Sequence, residues 1–241
     1  MYVSAIVLAA GRGLRFKSKV SKPLITINAK PVISYSLNTL NRHPLIKDII
    51  IVVNSLNQRG IASEIKRYNT TKSRAIILGG EERQDSVQNG LKAIDPRTDL
   101  ILIHDAARPF ISPKDISLVI KQAGKSGAAI LGVPVKATIK RVTENGLRET
   151  GKKNRFGTHI IVSETLNRNS LWEIQTPQVF KKDLILKAHE KFAGVKVTDD
   201  AMLVEKLGVK VNVVLGSYNN IKITTPEDLI LAEAIERSLK L

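Results

Sequence analysis

Between Leu8 and Pro23 the chain reads LAAGRGLRFKSKVSKP, two glycines and five cations with no acid among them. Small residues in such a turn let the backbone come close to a ligand, and their exposed amides can form an anion-binding nest. Arg15, Lys19 and Lys22 add positive charge over the same place, and a triphosphate is the ligand that uses all of these groups. The Gly11-x-Gly13 spacing lacks the third glycine of a dinucleotide fingerprint, and no GK[ST] follows to make a Walker loop. Other chemistries lack their parts. With no cysteine there is no thiolate nucleophile, disulfide or zinc-thiolate site. His43, His104, His159 and His189 have no ligand-like spacing, and no Ser-His-Asp arrangement stands out.

The elements that must position these groups follow from periodicity. VSAIVLAA, DIIIVVN, AIILGG, DLILIHD and AAILGVPV alternate with amphipathic stretches such as PVISYSLNTLNR, SVQNGLKAI and PKDISLVIKQAGKSG. Near-continuous apolar strands suit a parallel sheet covered by helices on both faces. The chain therefore reads as an α/β, Rossmann-like, doubly wound fold with a mostly parallel sheet. Helices are predicted to start at Pro31, near Ser86 and after Ser112-Pro113, and a closing helix after Thr225-Pro226 with Glu227 and Asp228 in its first turn. Residues 136–170 break the rhythm with alternation and turn signals at Glu144-Asn145-Gly146 and Gly151, which predicts a protruding β-hairpin arm. Beyond it WEIQTPQVF returns to the core as a strand, and VNVVLG and IKIT are predicted strands. One domain over 1–241 with an arm at about 136–170 is the expectation.

In an open parallel sheet, ligands sit outside the carboxyl ends of the strands. Four predicted strand ends carry polar or small residues: Ala9-Ala10-Gly11; Gly79-Gly80 followed by EERQDS; His104-Asp105-Ala106-Ala107-Arg108-Pro109; and Val133-Pro134. The formal charge of +16 favours polyanionic partners. Part of it is local, because eight cations precede the first acid, Asp48. Aromatics make up only 4%, so stacking platforms for single-stranded nucleic acid are scarce. No apolar run approaches the roughly 18 to 20 residues a membrane span needs. A cytoplasmic enzyme that binds neither nucleic acid nor membrane is the expectation.

Taken together, LAAGxGxRF with SKP, GGxxRxxSV, HDAARP, the TPQ of WEIQTPQVF, VTDDA and NIKITTPEDL resemble the 2-C-methyl-D-erythritol 4-phosphate cytidylyltransferase family, and the resemblance covers nearly the whole chain. It departs at Leu8, where relatives often have proline, and at Ala137, where many have an acid. The resemblance implies transfer of a cytidylyl group from CTP to a polyol phosphate with release of pyrophosphate, in non-mevalonate isoprenoid precursor synthesis. It implies Mg2+ or another divalent cation held mainly by the CTP phosphates, with no certain protein ligand. Arg15, Lys22 and Lys222 would stabilise the transition state. Ala9, Ala10, Gly11, Gly13, Gly79, Gly80 and Ser86 would form the cytidine pocket, and Ala107 would hold the ribose through its backbone.

For the second substrate the resemblance assigns Asp105, Arg108, Thr138, Arg168 and Thr198. In the family the arm packs against a second subunit, so a homodimer is implied, with Arg168 acting on the neighbour's site. Two other readings compete: a cytidylyltransferase for another polyol phosphate such as ribitol 5-phosphate, and a basic nucleic-acid-binding protein on this scaffold.

Overall fold

A computed structural model of the chain describes residues 1–11, 21–145 and 159–239; Gly13 and Arg15, with the other cations from Arg12 to Lys19, lie outside the described residues. In chain order the first elements are β1 (Val3–Leu8), β2 (Thr26–Ile27), β3 (Lys30–Pro31), α1 (Val32–Arg42), β4 (Ile46–Val53), α2 (Gln58–Arg67), β5 (Ser73–Leu78) and α3 (Arg83–Lys92). Then come β6 (Leu100–Asp105), α4 (Pro113–Ser126), β7 (Ala128–Pro134), β8 (Lys140–Asn145) and β9 (His159–Thr165). The chain closes with β10 (Trp172–Lys181), α5 (Lys182–Lys191), α6 (Asp200–Lys206), β11 (Asn212–Leu215) and α7 (Glu227–Leu239). Its contacts divide it into two compact units, Met1–Gly132 with Gln175–Leu241, and Val133–Ile174. The second unit holds the segment expected to form the arm.

Seven strands form one sheet in the order β11-β7-β10-β6-β1-β4-β5. β1 lies parallel to both β4 and β6, β4 to β5, and β11 to β7, while β10 runs antiparallel to β6. The continuous apolar strands have the cause the sequence suggested. Alternate residues serve opposite faces: Val3, Ala5, Val7, Ile49, Ile51 and Val53 join one core with Leu37, Ile61 and Val119, whereas Ile6, Ile50 and Val52 join another with Val87, Ile185 and Leu203. Helices α1, α2 and α4 thus cover one face and α3, α5 and α6 the other.

The helix ends follow local chemistry. Ser112 caps α4 by accepting from the Asp115 amide at 3.0 Å, Pro113 opens it, and Gly127 ends it at φ 87°. At α7 the Asp228 carboxylate accepts from the Thr224 and Thr225 amides at 2.7 and 2.9 Å. Helix α3 opens at Arg83, ahead of the Ser86 start predicted, because Asp85 accepts the Glu82 amide at 3.0 Å and fixes the first turn.

Two local expectations are corrected. IKIT, residues 221–224, is no strand: the Ile223 amide donates to Ala107 O at 2.9 Å, and Arg108 NH1 donates to Asn220 O at 2.8 Å. The segment's polar groups are therefore taken by the loop after β6 and not by a neighbouring strand. Conversely β2 and β3 form a small hairpin that periodicity did not signal. Its turn residues Asn28 and Ala29 have φ 46° and 62°, the left-handed pair a two-residue hairpin requires.

The unit Val133–Ile174 is built on β8 and β9, antiparallel with Val142 opposite Val162 and Arg141 opposite Glu164. Arg141 Nε lies 3.3 Å from Glu164 Oε2, and Val135 N donates to Leu171 O at 3.0 Å. Val142 and Val162, paired on one face of the hairpin, and Ile161 on the other are exposed among charged neighbours.

Candidate active site

The strand register aligns the carboxyl ends of β1, β4, β5 and β6. Leu8 stands beside Val52 on one side and Asp105 on the other, and Val53 beside Leu78. Each following loop begins by extending the ladder one step: Ala9 N donates to Val52 O at 2.7 Å, Gly79 N to Val53 O at 2.8 Å and Ala106 N to Leu8 O at 3.0 Å. Three loops named by the sequence motifs therefore leave the sheet side by side.

The first loop is pinned from α2. Asn57, fully buried, donates through Nδ2 to Ala9 O at 2.8 Å and to Ser21 Oγ at 3.0 Å, while Asn54 Nδ2 donates to Ala10 O at 3.0 Å. One carboxamide thus holds Ala9, two residues before Gly11, together with the residue before Lys22. Lys22 opens the short 3-10 turn Lys22–Leu24. The Ala9 amide and carbonyl both have partners inside the protein, which makes Ala9 a floor for the loop. Among the described residues beyond its own chain neighbours, none comes within 4 Å of where a Cβ on Gly11 would stand, so no crowding by them demands glycine there.

The second loop rests on the first. A Cβ on Gly79 would lie 2.5 Å from Ser86 Oγ and 2.6 Å from Ala10 Cβ, and one on Gly80 would lie 2.2 Å from Asp85 Cβ. Only glycine permits this approach, and Ser86 Oγ uses it to accept the Gly80 amide at 3.2 Å. Gly79, Gly80, Ser86 and Ala10 are therefore brought together.

The third loop carries the charge. Asp105 Oδ2 accepts from Lys222 Nζ at 2.6 Å, and Asp105 Oδ1 lies 3.5 Å from Arg83 Nε. Burial alone would raise the Asp105 carboxyl, but Arg83, Lys222 and Arg108 outweigh it and hold the group well below the usual carboxylate range. Lys222 reaches this place because its segment is tied at both ends: Ile223 to Ala107, and Asn220 to Arg108, to Gln175 Oε1 at 3.1 Å and to Thr176 O at 3.0 Å. The Ala107 carbonyl is thereby engaged, leaving its amide side for any ribose contact.

Behind Asp105 a chain of hydrogen bonds fixes one histidine tautomer. His104 Nε2 stands 3.0 Å from Arg108 O; a carbonyl only accepts, so Nε2 carries the proton. Nδ1 then accepts from the Thr176 hydroxyl at 3.1 Å, and Thr176 Oγ1 in turn accepts the Asp105 amide at 3.0 Å. Burial of this ring pushes His104 down to about 4, so it is neutral and structural, as its position behind the loop indicates. Between pH 6.5 and 4 the unfolded chain binds a proton there that the folded chain refuses, so stability falls as the pH is lowered through that window. The expected loss is on the order of 3 kcal/mol by pH 4, with His43, lowered by burial, adding in the same direction. Urea unfolding at pH 7, 5.5 and 4.5 measures it; a flat profile, or one unchanged in His104→Gln, would show that this ring titrates freely.

Several contributors carried no assignment in the motif reading. Arg83 is the clearest: besides Asp105 it engages Asp200 Oδ2 through NH1 at 2.6 Å, and Asp200 Oδ1 meets His189 Nε2 at 3.0 Å. Its position inside GGxxRxxSV was the signal available. Asn54 and Asn57 had none, lying in a stretch without a motif. Thr198 is exposed and immediately precedes Asp199, which caps α6 by accepting from Met202 N at 3.1 Å. Thr138 and Arg168 belong to the unit Val133–Ile174, where Arg168 NH1 donates to Lys136 O at 3.1 Å and Thr138 lies exposed between β7 and β8.

As for a metal, no three His, Cys, Asp or Glu among the described residues stand together as a cage. Asp105 at the strand ends has both oxygens engaged by cations. These residues do not make a protein-held divalent site. What they bring together is loop backbones held close by glycine, with cations and one carboxylate beside them.

Comparison with known proteins gives a consistent match. The family described as 2-C-methyl-D-erythritol 4-phosphate cytidylyltransferase matches residues 3–238. A protein of that name from Syntrophus aciditrophicus is 45% identical over 238 residues, covering 96% of this chain and 94% of its own. Another from Pelotomaculum thermopropionicum is 42% identical over 236 residues, covering 97% and 93%. Among solved structures, the 4-diphosphocytidyl-2C-methyl-D-erythritol synthase of Anaerococcus prevotii superposes with a TM-score of 0.82 at 35% identity, covering 98% of this chain and 96% of that one.

Proposed function

Because the chain belongs to the 2-C-methyl-D-erythritol 4-phosphate cytidylyltransferase family, we propose that the crevice at the ends of β1, β4, β5 and β6 is where its reaction takes place. The enzyme transfers the cytidylyl group of CTP to 2-C-methyl-D-erythritol 4-phosphate and releases pyrophosphate. An oxygen of the substrate phosphate attacks the α-phosphorus, and the bond from that phosphorus to the β-phosphate bridging oxygen breaks. Pyrophosphate leaves with the electron pair. A phosphate monoester has its second pKa at about 6, so the attacking oxygen is already anionic and no general base is needed. What must be supplied is position and positive charge.

The observation that carries this reading is Lys222, brought from the far end of the chain to 2.6 Å from Asp105 at the strand ends. In our assignment Lys222, Lys22 and Arg15 neutralise charge on the transferring phosphate. The amides of Ala10, Gly11 and Gly13, the Gly79-Gly80 turn and Ser86 hold the cytosine over the floor made by Ala9, and Ala107 meets the ribose. Asp105, kept a carboxylate, accepts from the erythritol hydroxyls, with Arg108 and Thr198 assigned to the same substrate; the family resemblance adds Thr138 of the arm, and Arg168 acting on the neighbour's site. Mg2+ would arrive on the triphosphate oxygens and supply charge there, since the protein has no cage for it among the described residues.

We further propose a homodimer formed through the arm, supported by exposed Val142 and Val162 on one face of its hairpin; a monomer in sedimentation velocity at assay concentrations would remove this part. Among the described residues no helix is long and apolar enough to cross a membrane. CTP is drawn from the cytoplasmic nucleotide pool, which supports a cytoplasmic site of action, testable by cell fractionation.

The deciding experiment incubates the protein with CTP, Mg2+ and each of a panel of polyol phosphates and follows pyrophosphate release. The methylerythritol phosphate is expected to give the highest kcat/KM. A preference for ribitol 5-phosphate would overturn the substrate assignment.

A further inference from the structure

Resting on Asp105 as a substrate-binding carboxylate, we propose that Arg83 is a positioning residue: braced from behind by Asp200 and His189, it keeps Asp105 in place as a carboxylate when Lys222 leaves it for a phosphate. The two oxygens of Asp105 are divided between partners of different character. Oδ2 is bonded to Lys222 Nζ at 2.6 Å, a flexible point charge whose side chain is 39% exposed. Oδ1 faces Arg83 Nε at 3.5 Å, and the same guanidinium is locked through NH1 to Asp200 Oδ2 at 2.6 Å. Asp200 is 1% exposed and its second oxygen meets the buried His189 Nε2 at 3.0 Å.

The inner half of this chain is therefore buried and doubly tied, and the outer half is solvent-facing and singly tied. A polyanion entering the crevice competes with Asp105 for Lys222. Arg83 cannot follow, because withdrawing it would leave Asp200 buried without its cation. Only a planar fork with donors at fixed separation serves two carboxylates at once, which a lysine does not. Without Arg83, an Asp105 that has given up Lys222 would sit buried beside two phosphate-bearing reactants, and it would take up a proton or turn away. Either outcome removes the acceptor for the polyol hydroxyls.

Among the described residues, the charged and titratable groups facing Asp105 are Arg83 from α3, Lys222 from the segment after β11, Arg108 from its own loop, and His104 beside it on β6. Lys222→Met imitates the departure of the ammonium, so it isolates the part Arg83 plays. With 13Cγ-labelled aspartate, and the Asp105 signal identified by Asp105→Asn, NMR titration reads its protonation without requiring turnover. In Lys222→Met the midpoint of Asp105 is expected to remain below the ordinary carboxylate range. In Lys222→Met with Arg83→Gln it rises above that range, and with Arg83→Lys, which keeps the charge, it falls between the two. Equal midpoints in all three would overturn the proposal.

In parallel, Arg83→Gln alone should raise KM for the polyol phosphate about tenfold or more, leave KM for CTP within about threefold, and move the acid limb of kcat/KM toward neutral pH. Equal losses on both substrates with an unmoved acid limb would mark Arg83 as merely structural. A wild-type protein inactive on every polyol phosphate would defeat the functional reading, whereas the NMR comparison would still decide the role of Arg83.

Discussion

Replacing Lys222 by alanine is expected to lower turnover by roughly two orders of magnitude or more and to leave the fold intact, and Lys22→Ala is expected to do the same. The size follows from the chemistry: two polyanions react without a general base, so each cation at the transferring phosphate acts as an oxyanion-hole donor does, and loss of one such donor costs about 10²–10³ in kcat. The fold survives because Lys222 is placed by its neighbours' backbone. Ile223 N remains on Ala107 O and Asn220 on Arg108, Gln175 and Thr176 whatever side chain stands between them. Lys22 likewise sits in a 3-10 turn anchored by the buried Pro23 and by Ser21 on Asn57. Steady-state pyrophosphate release beside a thermal melt measures both quantities, and near-wild-type turnover in the two variants would refute their assignment.

Gly79→Ala is expected to raise KM for CTP about tenfold or more and to destabilise the protein by about 1–3 kcal/mol, the usual cost of overpacking. The added methyl would stand 2.5 Å from Ser86 Oγ and 2.6 Å from Ala10 Cβ, closer than real contacts allow, so at least one loop must move. If the loop after β5 moves, the Gly80 amide loses Ser86 Oγ; if the loop after β1 moves, Ala10 departs from Asn54. Either displacement alters the surface assigned to the cytosine. Titration with CTP and urea unfolding report the two effects separately, and a variant that is less stable yet binds CTP normally would move the base pocket elsewhere.

Much of the fold was legible because its signals are local. The runs DIIIVV and LILI are apolar without interruption since each strand has helices on both faces, and Ser112-Pro113 opens a helix because a hydroxyl accepts a free amide there. IKIT misled for an equally physical reason. A β-branched alternation reports that one side of an extended segment is buried, not that its amides pair with a strand, and Ile223 is indeed buried while its amide serves Ala107. The hairpin at Thr26–Pro31 escaped because Ala29 in a left-handed conformation leaves no compositional trace.

Within the site, Asp105, Lys222, Gly79 and Ser86 were visible through the family resemblance, and the structure adds why they meet. Arg83 and Asp200 are 117 positions apart, as are Lys222 and Asp105. No periodicity or spacing rule reaches across such a separation: Lys222 meets Asp105 because Asn220 and Ile223 are tied to the loop after β6, and Arg83 meets Asp200 because α3 and α6 pack on the same face of the sheet. Asn57 was harder still, because its partners are the Ala9 carbonyl, the Asn54 amide and the Ser21 hydroxyl, a set that no motif displays.

The Lys222–Asp105 contact has a bearing on selectivity among the many anions of a cell. An ammonium already matched to a carboxylate at 2.6 Å yields to an incoming anion only the surplus over that bond. Chloride or sulfate satisfies the lysine but abandons the aspartate, and so gains little. On the assignment proposed above, the CTP phosphate that takes Lys222 and the polyol hydroxyls that take Asp105 would satisfy the two ends together, so the pair would answer to the combined chemistry of both substrates instead of to negative charge alone.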